Sequence, residues 1–317
     1  MTEAAPVIVT GAGGFVGCAL LTLLLEQGLR VVAIDTSLAP QPGMTAIAGD
    51  LADPDVRRAA LAGGCGALVH LATVPGGAAE TDPELAWRVN VEAARQLLGE
   101  VAAVADRPRV VFASSIAVFG EAMPAAGVDD TTPLSPHLHY GAHKAMVETL
   151  VAMQSNRGAI DGLSLRLPGI VARPPARSGL KSAFLSDLFT ALRAHRAFVC
   201  PVSANGTEWL QSVRQCAENL GHALSIATGD LPEGRACTLP ALRITVADLV
   251  MAIAQATGAD PALVTYRPDP GLERAFAAQP PLTTRVADRL GFRHDGDLAS
   301  LVTNALATLP TETGDAA

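Results

Sequence analysis

Short apolar runs alternate along this chain with longer stretches in which apolar residues recur every three to four positions, a pattern that predicts strands alternating with helices. Residues 6–9 form an apolar run before a glycine cluster, and residues 15–27 are densely apolar with no interior Gly or Pro beyond Gly17. Strand, loop and helix are expected there in that order. A strand is expected next over 30–35, ending in Asp35, then one over 45–50, a helix over 54–62 and a strand over 67–72. A long helix over 83–105 precedes a buried strand over 109–113. Residues 122–138 are rich in Pro and Asp and read as irregular, and a helix carrying Tyr140 and Lys144 leads to a strand over 163–167 that stops at Pro168-Gly169.

Repeated strand, helix, strand alternation calls for crossovers over the faces of a parallel sheet. The fold class expected is α/β, a Rossmann-type doubly wound parallel sheet with a smaller C-terminal substrate-binding domain. Composition changes at Arg173-Pro174-Pro175. Residues 1–172 are expected to form the dinucleotide-binding domain, with 205–242 returning to it, and residues 173–204 and 243–317 the substrate-binding domain. Thr245 starts a helix over 248–257, a late helix over 286–291 stops at Gly291, and 311–317 form a loose tail.

The glycines after the first strand have a chemical reading. In Gly11-Ala12-Gly13-Gly14-Phe15-Val16-Gly17 one glycine permits a tight turn, another lets the backbone approach a diphosphate, and Gly17 lets helix pack closely on strand. The diphosphate would rest on N–H groups of the helix N-terminus. Asp35, eighteen residues beyond Gly17, can accept hydrogen bonds from adenosine ribose hydroxyls. Its carboxylate would repel a 2′-phosphate, and Thr36-Ser37-Leu38 offers no arginine to receive one, so NAD is the expected cofactor. The alternative reading makes Asp35 a residue that ends a strand and starts a turn.

Tyr140 and Lys144 are four residues apart and share one helix face. A free phenol, with a pKa of about 10, is a poor base near neutrality, whereas a neighbouring ammonium and an oxidised nicotinamide favour the phenolate. Tyr140 is then a general base for an alcohol, with Lys144 lowering its pKa. Ser115 falls at the expected end of the strand beginning near Arg109, where ligands gather above a parallel sheet, and can orient the reacting oxygen. Such a Tyr/Lys spacing also arises by chance on exposed helices. The glycine loop, Asp35 and Ser115 together give it the catalytic reading.

The chain has 317 residues, 49% apolar and 17% charged, which suits about two folded domains and argues against disorder. A net charge of −8 with no long basic run disfavours a nucleic-acid surface. The cysteines, Cys18, Cys65, Cys200, Cys216 and Cys237, are widely spaced and read as reduced thiols in cytoplasm. Residues 20–25 are very apolar but too few to cross a bilayer, so no membrane attachment is expected. His137, His139 and His143 are expected to flank the loop before Tyr140, and His70 to end a core strand, so no metal is expected.

These motifs resemble the extended short-chain dehydrogenase/reductase family over nearly the whole chain. The family's glycine motif matches Gly11, Gly14 and Gly17, its adenine-side acid Asp50 in Gly49-Asp50-Leu51, and its strand-end motif His70-Leu71-Ala72. Its Ser, Tyr and Lys fall on Ser115, Tyr140 and Lys144, and Asn90 in Val89-Asn90-Val91 matches a helix Asn near its active-site core. The resemblance implies cofactor contacts from the loop residues Gly11, Gly13, Gly14, Phe15, Val16 and Gly17 and from Asp35, Asp50 and Leu51. It implies others from Leu71, Ala72, Asn90, Tyr140, Lys144 and Pro168. Substrate contacts are implied for Thr73, Ser115, Tyr140, Arg173, Arg177, Ser182 and Arg214. Among the arginines Arg173 is the first candidate for a carboxylate, which a guanidinium binds through two parallel hydrogen bonds.

Phe119 stands where the family commonly has Tyr, and the acidic pair of a sugar-nucleotide dehydratase is missing. Leu165-Arg166-Leu167-Pro168, Cys200-Pro201-Val202, Trp209-Leu210-Gln211-Ser212 and Leu239-Pro240 resemble a branch of the family that uses NAD to oxidise the 2-hydroxyl of a small sugar acid. Val213 replaces the proline expected after Ser212. A nucleotide-sugar epimerase with retained NAD is the alternative. A non-catalytic NAD-sensing regulator is disfavoured, because such regulators usually lack the Tyr and Lys. Helices around 83–105 and 140–154 resemble a pair that forms a four-helix interface in the family, implying a homodimer.

Overall fold

The computed structural model describes residues 5–174 and 183–310. Contacts divide them into two compact units, one of residues 5–168, 216–240 and 280–293, the other of residues 169–174, 183–215, 241–279 and 294–310.

The first unit is built on seven strands: β1 Val7–Thr10, β2 Val31–Asp35, β3 Met44–Ala48, β4 Ala67–His70, β5 Arg109–Ser115, β6 Asp161–Leu167 and β7 Ala236–Thr238. All pair in parallel, in the order β7-β6-β5-β4-β1-β2-β3. Every residue of β4 is buried, as expected of a strand covered by helices on both faces. Leu97, Leu98, Val101 and Val151 belong to the same core cluster as Leu68 and Val110. β1 lies between β2 and β4: the chain runs outward from it through β2 and β3, then crosses back to continue from β4 toward the opposite edge. Ligands of such sheets bind beyond the strands' carboxyl ends at this reversal.

Local chemistry accounts for the helix boundaries. Asp53 accepts a hydrogen bond from the Asp55 N–H and Pro54 occupies the first turn of helix Pro54–Leu61. The helix expected over 83–105 has three parts: Pro83–Trp87, a π-helical stretch Arg88–Ala93, and Ala94–Val104. A short helix Gly76–Thr81 and a 3₁₀ turn Ile116–Phe119 were not signalled by apolar spacing. Tyr140 and Lys144 lie on helix His139–Asn156, and the late helix Arg285–Arg289 is followed by Gly291 at φ +87°.

In the second unit, strand Thr207–Ser212 pairs in parallel with Gly169–Val171 and antiparallel with Leu242–Thr245. A separate parallel pair joins Phe198–Cys200 to Val264–Tyr266. Helices Phe184–Arg193, Val246–Thr257 and Leu298–Ala307 contribute Leu188, Phe189, Leu249, Ile253 and Leu301 to a core that includes Leu210. Thr245 caps the second of these helices through the Asp248 N–H, as its sequence predicts. The tail expected over 311–317 lies outside the described residues. Among the described residues no helix is long and apolar enough to cross a membrane.

Candidate active site

At the carboxyl end of β1, Gly11 adopts φ +69°, and a Cβ there would lie 2.6 Å from the Ala72 nitrogen. Gly17 sits against the same turn, where a Cβ would stand 2.2 Å from the Gly11 carbonyl oxygen. Helix Phe15–Glu26, which follows, has no side-chain cap and no acid in its first turn. The first turn of this helix, at Phe15 and Val16, suits an anion at a helix N-terminus, while the Gly14 N–H is given to the Gly11 carbonyl at 3.1 Å. Asp35, at the end of β2, accepts from the N–H groups of Gly13 at 3.0 Å and Ser37 at 3.1 Å. That holds the carboxylate beside the loop. Asp50 accepts from the Ala52 N–H at 2.9 Å and has the Arg88 guanidinium 3.7 Å away. Buried Leu51 offers its carbonyl to Arg57 at 2.8 Å.

The β1 and β4 ends are tied together. Thr10 Oγ1 lies 2.7 Å from His70 Nδ1 and accepts from the Ala72 N–H at 3.3 Å, while the Leu71 N–H donates to the Thr10 carbonyl at 3.1 Å. Burial, with the Lys144 charge adding to it, pushes the His70 pKa down to about 3, so this imidazole is a neutral strut. Beyond Ala72, Asn90 binds the loop: its Oδ1 accepts from the Val74 N–H at 2.6 Å and the Thr73 hydroxyl at 3.1 Å, and its Nδ2 donates to the Val74 carbonyl at 3.0 Å.

Ser115 is the last residue of β5, and its Oγ accepts from the Ala117 N–H at 3.1 Å. Lys144 is buried, with Nζ donating to the Ala113 carbonyl at 2.7 Å and lying 5.5 Å from the centroid of the half-buried Tyr140 ring. Burial pushes its pKa down to about 7, and the Glu148 carboxylate opposes that fall. Glu148, one turn further along the helix, accepts from the Ser114 hydroxyl at 2.5 Å and from Arg166 at 2.8 Å and 3.0 Å. Tyr140, Lys144 and Ser115 thus stand on adjoining elements at one end of the sheet, with Pro168 buried just past β6.

Residues 7–213 match the family model described as the NAD dependent epimerase/dehydratase family. The chain belongs to that family, one of the extended short-chain dehydrogenase/reductases. It is similar to D-erythronate dehydrogenase of Cupriavidus necator, 34% identical with 93% of this chain and 96% of that one covered. A second relative, D-erythronate dehydrogenase of Haemophilus influenzae, is 29% identical over 93% of this chain and 97% of its own length. Among solved structures, a nucleoside-diphosphate-sugar epimerase from Agrobacterium tumefaciens superposes with a TM-score of 0.86 at 28% identity, covering 94% of this chain and 92% of that one.

As a member of this epimerase/dehydratase family the protein is an NAD-dependent oxidoreductase acting on a CH–OH group. The uncapped helix end, the close-packed glycines and the Asp35 carboxylate held beside them suit that dinucleotide.

Arg173 and Arg214 belong to the second unit. Arg173 is half-buried and its backbone N–H donates to Ser186 Oγ at 2.9 Å; Arg214 is exposed near the start of helix Val213–Ala223. Arg177 and Ser182 lie outside the described residues. Among the described residues no three His, Cys, Asp or Glu side chains form a metal-holding group. His139 and His143 stand 5.9 Å apart, and His143 packs edge-on to Trp87. Sequence reasoning missed Ser114, Glu148 and Arg166. The available signal was an acid one helical turn past Lys144 together with an arginine near the end of strand Asp161–Leu167.

Proposed function

We propose that this enzyme oxidises the 2-hydroxyl of a small sugar acid resembling D-erythronate to the 2-oxo acid. The observation that carries the reading is the buried Lys144 side chain pinned beside the Tyr140 ring on one helix. Bound NAD supplies the hydride acceptor. Tyr140 Oη takes the proton of the substrate hydroxyl, and the Lys144 charge stabilises the resulting phenolate arrangement. Lys144 retains N–H groups beyond the one given to Ala113 with which to hold the nicotinamide ribose. Ser115 binds the reacting oxygen, and Asp35 the adenosine ribose. On sequence grounds Arg173 is assigned the carboxylate. Near full-length similarity to two D-erythronate dehydrogenases supports this substrate class.

The Agrobacterium tumefaciens structural relative favours a second reading, epimerisation of a nucleotide sugar with NAD retained. Purified protein given NAD and a panel of four-carbon sugar acids or nucleotide sugars separates the two. Net NADH absorbance with an acid is expected. Silence with every acid, together with interconversion of a nucleotide sugar, would replace the first reading by the second.

We also infer a homodimer in a reducing cytoplasm. Trp87, Val104, Met146 and Met153 are exposed apolar residues on the two helical segments that the family resemblance places at an interface, and Cys18, Cys65, Cys200 and Cys237 are thiols. A monomeric mass by light scattering at micromolar concentration would contradict the dimer.

A further inference from the structure

Asn90 can take only one orientation. Its Oδ1 faces the Val74 N–H at 2.6 Å and its Nδ2 faces the Val74 carbonyl at 3.0 Å, so exchanging O and N would oppose donor to donor and acceptor to acceptor. The Thr73 hydroxyl, 3.1 Å from the same Oδ1, must therefore donate. A hydroxyl has one proton and two lone pairs. The further contact of Thr73 Oγ1, to the Val74 carbonyl at 3.5 Å, draws on that same proton. Toward any ligand this hydroxyl offers lone pairs alone.

The arrangement is built into the helix. Asn90 lies in the π-helical stretch Arg88–Ala93, a widened geometry that recurs at functional sites. Asn90 is 4% exposed while Thr73 is half-buried, so the pair is dry on the Asn90 side and open on the other. Thr73 follows Ala72, whose backbone touches Gly11 of the cofactor loop, and the loop leads into helix Gly76–Thr81, from which Glu80 accepts the His139 N–H next to Tyr140.

We propose that Asn90 makes the Thr73 hydroxyl an obligate acceptor, so that this edge of the site takes an N–H or O–H donor from the bound reactants and turns a carboxylate away. The inference rests on the dehydrogenase reading above. Two groups carry such a donor: the nicotinamide carboxamide and a substrate hydroxyl next to the one oxidised. A carboxylate has lone pairs only and would meet those of Thr73. A 2-hydroxy acid is thereby held with its carboxyl group away from Thr73, which makes Asn90 a positioning residue for specificity.

The test crosses Thr73→Val, which keeps the shape and loses the acceptor, and Thr73→Ser, which keeps it, with ligands that have or lack the donor. Calorimetry compares NAD with its 3-acetylpyridine analogue, which has no amide N–H. Steady-state kinetics compares KM for a four-carbon 2,3-dihydroxy acid and its 3-deoxy counterpart. Wild type and Thr73→Ser should prefer the donor-bearing ligand roughly 10-fold in one arm, and Thr73→Val should lose that preference in the same arm. The affected arm says which group is read. Equal preference by wild type and Thr73→Val in both arms overturns the inference, as does tighter binding of the donor-free ligand by wild type. Calorimetry needs no turnover. A protein that oxidises none of the acids sinks the dehydrogenase reading, and equal preference in the calorimetric arm then overturns this inference separately.

Discussion

Glu148 and Glu208 are buried to the same depth, at 5% and 4% exposure, in different units of the molecule, yet their surroundings are opposite. Glu148, below the proposed catalytic lysine, meets the Arg166 guanidinium through two nitrogens and the Ser114 hydroxyl. Glu208, on the small sheet of the second unit, leaves Oε1 without a partner among the described residues. Burial pushes the Glu208 carboxyl well above its ordinary pKa, and the Glu273 charge pushes it further. The difference teaches that what meets a buried acid matters as much as how deeply it is buried. The Glu148 oxygens are met by a guanidinium and a hydroxyl, whereas a buried carboxyl with an unpartnered oxygen is driven toward its protonated form.

The sharpest break in this comparison is at the lysine itself. Lys144→Met should lower kcat by roughly 10²–10⁴-fold while the protein stays folded, measured by NADH formation alongside circular dichroism. A loss below about 5-fold would remove the chemistry from the paired cluster. Next, Arg166→Met strands the Glu148 charge and should cost about 3–5 kcal/mol in urea unfolding, with most of that recovered when Glu148→Leu is added. Equal stability of wild type and Arg166→Met would show that the pairing is idle.

A smaller effect is expected at Glu208, with a definite sign. Because its folded-state pKa is raised, the folded protein holds a proton that the unfolded chain releases above about pH 4.3. Stability from this proton is therefore full below that pH and declines as pH rises toward the folded-state value. Glu208→Gln, which cannot ionise, should gain in Tm relative to wild type between pH 5 and pH 8, read by differential scanning fluorimetry. A constant difference across that range would show that Glu208 ionises freely. Thr245→Ala supplies the smallest change and a control in the same unit: losing the cap at the Asp248 N–H should cost about 1 kcal/mol, without the widening trend seen at Glu208.

Features governed by neighbours in sequence were legible in it. The strand ends at Asp35 and His70, the cap at Thr245 and the Tyr140/Lys144 spacing each depend on a few adjacent residues or on helical period. The π-helical stretch was not legible, because Arg88–Ala93 has ordinary helix composition and its widening accompanies Asn90's bonds to a loop 16 residues away. Helix Gly76–Thr81 was hidden for a related reason: its glycines and alanines give no apolar stripe. The Glu148–Arg166 pair joins a helix to a strand 18 residues on, and its partners could be recognised only once the sheet had placed them. Thr73 was drawn from resemblance alone, and its hydrogen-bond polarity emerged from the orientation of Asn90.

The central claim is that Tyr140 takes the proton of an alcohol whose oxidation is recorded as NADH. Its most direct test is the initial rate of NADH absorbance with D-erythronate for wild type and Tyr140→Phe. The account predicts steady NADH formation by wild type and a drop of roughly 10²–10⁴-fold in the Phe variant at saturating NAD. A Phe variant that reduces NAD at the wild-type rate would contradict it.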